Sequence, residues 1–122
     1  MSKNQQSIGC CPPKPSLKQR LLIGSSEAGE LADLFKVLAN DTRLRIIHAL
    51  ARDGELSVST LAEAVGMKTQ AVSNQLQRLV DRGILGHRRD RNSIHYCIVD
   101  PCVIELLDRG LCLMEDAKER RA

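Results

Sequence analysis

Leu61–Leu85 reads LAEAVGMKTQAVSNQLQRLVDRGIL. Leu61, Ala64 and Val65 share one face of a short helix that Gly66 interrupts, and a second helix starting near Thr69 carries Val72, Leu76, Leu79 and Val80 on one side before Gly83 stops it. The opposite side of that second helix presents Thr69, Gln70, Ser73, Asn74, Gln75 and Arg78. A merely solvated helix more typically carries Glu and Lys pairs. Short hydroxyl and amide side chains followed by an arginine are the groups that bond base edges and phosphates in a major groove. Two short helices joined by a glycine-centred turn, the second with a polar leading edge, form the pattern of a helix-turn-helix.

Downstream, Ile84–Val99 reads as a β-hairpin. Ile94, Tyr96 and Ile98 alternate with His95, Cys97 and Val99, and the turn is DRNS at Asp90–Ser93. A hairpin directly after a recognition helix is a wing, from which Arg88, Arg89 and Arg91 reach a minor groove or phosphates. With one Phe, one Tyr and no Trp, the chain lacks the stacking platforms that bind single strands, so double-stranded DNA is the expected partner.

Upstream, Ser26 is a candidate cap for a helix bearing Leu31, Leu34, Phe35 and Leu38. Asn40 and Asp41 end it, and Asp41 can cap a second helix with Leu44, Ile46, Ile47 and Leu50 that runs to about Gly54. Leu56–Val58 is a short extended connection, with Ser59 or Thr60 capping the next helix. The last helix opens at Asp100-Pro101, and its Val103, Leu106, Leu107, Leu111, Leu113 and Met114 cover more than one face. So small a domain has limited core to bury that breadth, and a single helix-turn-helix gains specificity by reading two half-sites; both point to a homodimer. The fold class expected is mainly α (α+β), a winged helix-turn-helix.

Composition agrees. A chain of 122 residues with 43% hydrophobic content supports one core. Residues 1–25, with CCPPKP, read as a flexible arm, residues 26–117 as the DNA-binding and dimerisation domain, and 118–122 as a charged tail. No run approaches the ~20 apolar residues of a membrane span, and MSKNQQSIGCC lacks a secretory apolar region, so a soluble cytoplasmic protein without membrane association is expected. The net charge of +3 is modest but uneven: residues 1–26 carry Lys3, Lys14, Lys18 and Arg20 with no acid, and residues 68–95 carry six bases against two acids. That distribution suits phosphate contact at the arm and beyond residue 67, although alone it fits a solvated surface equally well. Five cysteines in a reducing compartment argue against a disulfide framework and for thiols that bind metal or sense oxidants; burial as small apolar residues is the plainer use. No CxxC, no Gly-rich phosphate loop and no base beside a cysteine suggests an enzyme.

Three runs, LADLFKVLANDTRLRIIHAL, ELSVSTLAEAVGMKTQAVSNQLQRLVDRGIL and HRRDRNSIHYCIVD, make the chain resemble the ArsR/SmtB family of metal-sensing repressors over roughly residues 27–117. The resemblance implies a dimeric winged-helix repressor, paired through its first and last helices, that leaves its operator when a metal or metalloid binds. One family site uses a cysteine pair at the opening of the third helix; Ser57 and Ser59 stand there, and hydroxyls do not replace thiolates for soft metals. Another uses the last helix. There Cys102 stands where the family's first histidine would, with Asp100 beside it, and Cys112 and Glu115 follow, Cys112 one residue short of the second histidine position. Thiolate in place of imidazole favours As(III), Cd(II), Pb(II) or Hg(II) over zinc or nickel.

Helix geometry constrains these ligands. Cys102 and Cys112 lie ~15 Å apart along a helix and ~80° apart around it, too far to hold one ion in one chain. Two arrangements are open: antiparallel pairing across a dimer, bringing Cys102 of one copy to Cys112 of the other, or delivery of Cys10 and Cys11 by the arm. Cys97, at the end of the wing strand, is either a further thiolate or a packing residue. His48 reads as structural within a core helix, and His87 and His95 as DNA-facing or solvated. A thiol-redox or persulfide-responsive repressor of the same fold is the alternative.

Overall fold

The computed structural model describes residues 13–121. After a short 3-10 turn at Leu17–Gln19 come α1 (Ser25–Leu38), α2 (Asp41–Asp53), β1 (Leu56–Ser57), α3 (Val58–Val65), α4 (Thr69–Asp81), β2 (Leu85–Asp90), β3 (Ser93–Ile98) and α5 (Pro101–Arg121). The three strands form an antiparallel sheet in the order β1-β3-β2, with Leu56 opposite Tyr96 and Leu85 opposite Ile98. This is a winged helix-turn-helix, mainly α with a β-hairpin, as the apolar periodicities predict.

Capping residues set the boundaries, and several differ by a residue or two from the expected ones. α1 starts at Ser25, with Gly24 rather than Ser26 in the cap position. Asn40, not Asp41, caps α2: its Oδ1 accepts from the Arg43 amide at 3.0 Å, and Asp41 becomes the first helical residue. Ser57 caps α3 through the Thr60 amide, in place of the expected Ser59 or Thr60, and Ala62 rather than Ala64 is buried beside Leu61 and Val65.

Two glycines shape the path into and out of the reading helix. At the end of α3 the Met67 amide donates to the Ala62 carbonyl and the Gly66 amide to Glu63, with Gly66 at φ +69°. At the end of α4 the Ile84 amide donates to Leu79 and the Gly83 amide to Val80, with Gly83 at φ +75°. Both are Schellman closures, which require a left-handed residue just past the helix and therefore favour glycine.

The core gathers Ile46, Ile47 and Leu50 of α2, Leu61, Ala62 and Val65 of α3, Val72, Leu76 and Leu79 of α4, Ile84 and Leu85, Tyr96 of β3, Leu38 and Val103. Burial pushes the Tyr96 phenol above its usual pKa. The outer helices contribute little to this core. Leu31 and Phe35 of α1 are 44% and 46% exposed, and Leu113 and Met114 of α5 are 64% and 47% exposed. Phe35, Leu113 and Met114, with Leu44 and Leu106, border an apolar groove of about 600 Å³ between α1, α2 and α5. Residues 118–121 of the expected tail continue α5. No helix among the described residues is long and apolar enough to cross a membrane.

Candidate nucleic-acid interface and thiolate positions

The amphipathic pattern of α4 turns its apolar side onto the core and leaves Thr69, Gln70, Asn74 and Arg78 exposed. Gln70 Nε2 donates to Asn74 Oδ1 at 3.3 Å, holding two amide side chains together one helical turn apart. Amides of this kind match the donor and acceptor edge of adenine, and Arg78 matches guanine or phosphate.

Ser73 and Gln75 are half-buried rather than open on the reading face. Gln75 in particular is engaged from behind: its Oε1 accepts from Arg43 Nε at 2.7 Å. That bond uses the carbonyl that a bidentate base contact would also use. Arg43 was not singled out by periodicity, because one charged residue in an amphipathic helix looks like a solvated one.

The wing carries its arginines unequally. Arg88 forks onto Glu55 through Nε and Nη2 at 2.9 and 2.8 Å, tying β2 to the residue before β1. The hydrogen bond from Arg88 holds the Glu55 carboxyl below its usual value. A phosphate at Arg88 competes with Glu55 for the Nε and Nη2 donors. Arg89 is exposed on β2, and Arg91 sits at the hairpin tip with φ +62°. His87 stacks on Tyr96 with ring centroids 5.7 Å apart, while the side chain of His48 is exposed on α2.

Cys97 is half-buried in β3 opposite Gly86. Cys102 is exposed in the first turn of α5, where its amide donates to Asp100 Oδ1 at 2.9 Å, so Asp100 acts as a cap. Cys102 borders a cleft of about 200 Å³ that Leu34, Arg82 and Asp100 also line. Cys112 is exposed farther along the same helix, its Sγ 3.7 Å from Asp116 Oδ2. Because α5 is continuous from Pro101 to Arg121, the ~15 Å separation of Cys102 and Cys112 holds. No three His, Cys, Asp or Glu side chains among the described residues converge on a metal position. Cys10 and Cys11 lie outside the described residues.

At the third-helix position Ser57 and Ser59 are 3.3 Å apart, and the Ser57 hydroxyl also donates to Thr60 Oγ1 at 3.0 Å. These hydroxyls belong to the cap of α3.

Comparison with known proteins places these features. A helix-turn-helix domain model matches residues 38–88. The HTH-type transcriptional regulator NmtR of Mycobacterium tuberculosis is 39% identical over 89 residues, covering 73% of each chain. Among solved structures, the AntR antimony-specific transcriptional repressor is 65% identical, with 90% of this chain and 99% of that one covered at a TM-score of 0.75. A homodimeric winged helix-turn-helix DNA-binding domain from Mycobacterium bovis, described as a possible ArsR-family regulator, is 31% identical over 80% of this chain and 93% of its own, at a TM-score of 0.69. With the recognition helix, the wing and these likenesses taken together, the chain belongs to the ArsR/SmtB family of winged helix-turn-helix transcriptional regulators.

Proposed function

We propose that the protein is a homodimeric repressor that binds double-stranded operator DNA through α4 and the wing and is released by a thiophilic metal or metalloid held by cysteine thiolates. The observation that carries this is the pairing, on one small fold, of an exposed amide and arginine face on α4 with thiols on α5, outside the reading head. The apolar groove between α1, α2 and α5 supplies the dimer surface, since a contiguous exposed apolar surface that includes Phe35, Leu106, Leu113 and Met114 marks an interaction site.

Cys102 is the principal ligand of the site. One chain's described residues supply no complete donor set, so the remaining thiolates come from Cys112 of a second copy or from Cys10 and Cys11, with Cys97 nearest in sequence to Cys102. An all-thiolate set suits As(III), Cd(II), Pb(II) and Hg(II). The likeness to an antimony-specific repressor adds trivalent antimony and weights the choice toward the trivalent metalloids. Binding deprotonates thiols, so affinity for the inducer falls as pH falls.

The test is retardation of a duplex drawn from the protein's own promoter, with and without each ion. Affinity for the duplex should drop with at least one of them. Retardation unchanged by all of them removes the metal-sensing claim, and loss of binding only under peroxide or polysulfide replaces it with a redox trigger.

A further inference from the structure

Arg43 makes three connections at once. Its amide donates to the Asn40 cap at 3.0 Å, its Nη1 donates to the Val37 carbonyl in the last turn of α1 at 2.8 Å, and its Nε donates to Gln75 Oε1 on α4 at 2.7 Å. The Val37 carbonyl is one of the four at the end of α1 that have no partner within the helix, so the guanidinium satisfies a group that would otherwise need water. The Gln75 contact spans 32 residues of sequence and is partly buried. It is the one side-chain hydrogen bond among the described residues that ties the polar side of α4 to another helix.

We infer that Arg43 and Gln75 form a strut that sets the pose of the recognition helix against the end of α1, so that Gln75 is a positioning residue and not a base reader. A planar guanidinium suits the task, because its donors leave in fixed directions and two of them hold acceptors on different helices in one geometry. Lysine offers a single ammonium on a flexible stem and cannot hold both acceptors in that way. The strut meets α1 in its last turn, next to Leu38 and beside the apolar groove assigned above to a second copy. A displacement of α1 at that surface therefore reaches α4 through a short, directional contact. This rests on the DNA-binding reading for its consequence, though the strut itself belongs to the free protein.

A double-mutant cycle with Arg43→Lys and Gln75→Ala tests it, read in two ways. Hydrogen exchange of the α4 amides from Val72 to Leu79 in the free protein should lose about tenfold in protection in each single variant and no more in the double. Affinity for the promoter duplex should fall by about tenfold in each, again without multiplying, while base preference along the duplex stays as in the wild type. Gln75→Glu keeps an acceptor for the guanidinium and should retain wild-type protection. Unchanged α4 protection in Gln75→Ala overturns the strut, as do affinity losses that multiply or a base preference that shifts with Gln75→Ala. If the wild type retards no duplex, the DNA-binding reading fails while the exchange cycle still decides the strut.

Discussion

Ser57 stands where a soft-metal site of this family would place a thiolate, and its hydroxyl is committed elsewhere. It accepts from the Thr60 amide and donates to the Thr60 hydroxyl, closing the open end of α3. Ser57→Ala should lower the stability of the fold by about 1 kcal/mol, the usual worth of a serine cap, measured as a shift in the urea midpoint without a change in slope. An unchanged midpoint would mean that water serves the cap equally well. The cap was one residue-scale feature hard to place from sequence: Ser57, Ser59 and Thr60 are all good caps, and only the chain direction entering from β1 selects the first. Gln75 is a second. Its residue type and spacing match a base reader, and nothing in the local pattern reveals Arg43, 32 residues away.

At the scale of elements, the wing is held at its base as well as charged along its edge. The Arg88–Glu55 fork ties β2 to the entry of β1, and both side chains are exposed to solvent. Because Arg88 depresses the Glu55 pKa, the contact is fully present above the ordinary glutamate value and is lost as pH falls through the depressed one. NMR titration of the Glu55 carboxyl should therefore show an inflection below that of an isolated glutamate, returning to the ordinary value in Arg88→Ala; an identical inflection in both would show that the fork does not persist in solution. The same fork competes with phosphate, so Glu55→Gln should free Arg88 and tighten operator binding severalfold at low salt, an effect that fades as salt rises. The helices and hairpin were legible because their apolar residues repeat at 3.6 and 2 along the chain, as with Val72, Leu76 and Leu79 in α4 and Ile94, Tyr96 and Ile98 in β3. The partner that each wing arginine chooses was not, since Glu55 meets Arg88 only once β1 and β2 flank β3 in one sheet.

At the scale of the molecule, α4 and the thiols of Cys102 and Cys112 sit on different elements, and the proposed function couples them through a second copy or the arm. The breadth of apolar residues on α5 announced an unfilled surface in the sequence, and Leu113, Met114 and Phe35 are indeed left open on the single chain. The ligand set was less legible, because Cys102 and Cys112 stand apart on α5 and no three metal-binding side chains converge among the described residues. If the site crosses copies, Cys102→Ser and Cys112→Ser proteins should each fail to respond to the inducer, and mixing and re-equilibrating the two should restore part of the response through hybrid dimers with one intact site. No recovery on mixing would place the remaining ligands within one subunit's own arm and α5.

The central claim is that thiolate capture of a soft ion at Cys102 lowers DNA affinity without Cys102 itself touching DNA. Fluorescence anisotropy of the labelled promoter duplex, titrated with wild-type protein and with Cys102→Ser in the absence and presence of trivalent antimony, addresses it directly. The account predicts equal affinities of the two proteins without the ion and a loss of at least tenfold for the wild type alone when it is added, a coupling of about 1.4 kcal/mol or more. An equal loss in Cys102→Ser, or a weakened affinity of that variant before any ion is present, would contradict it.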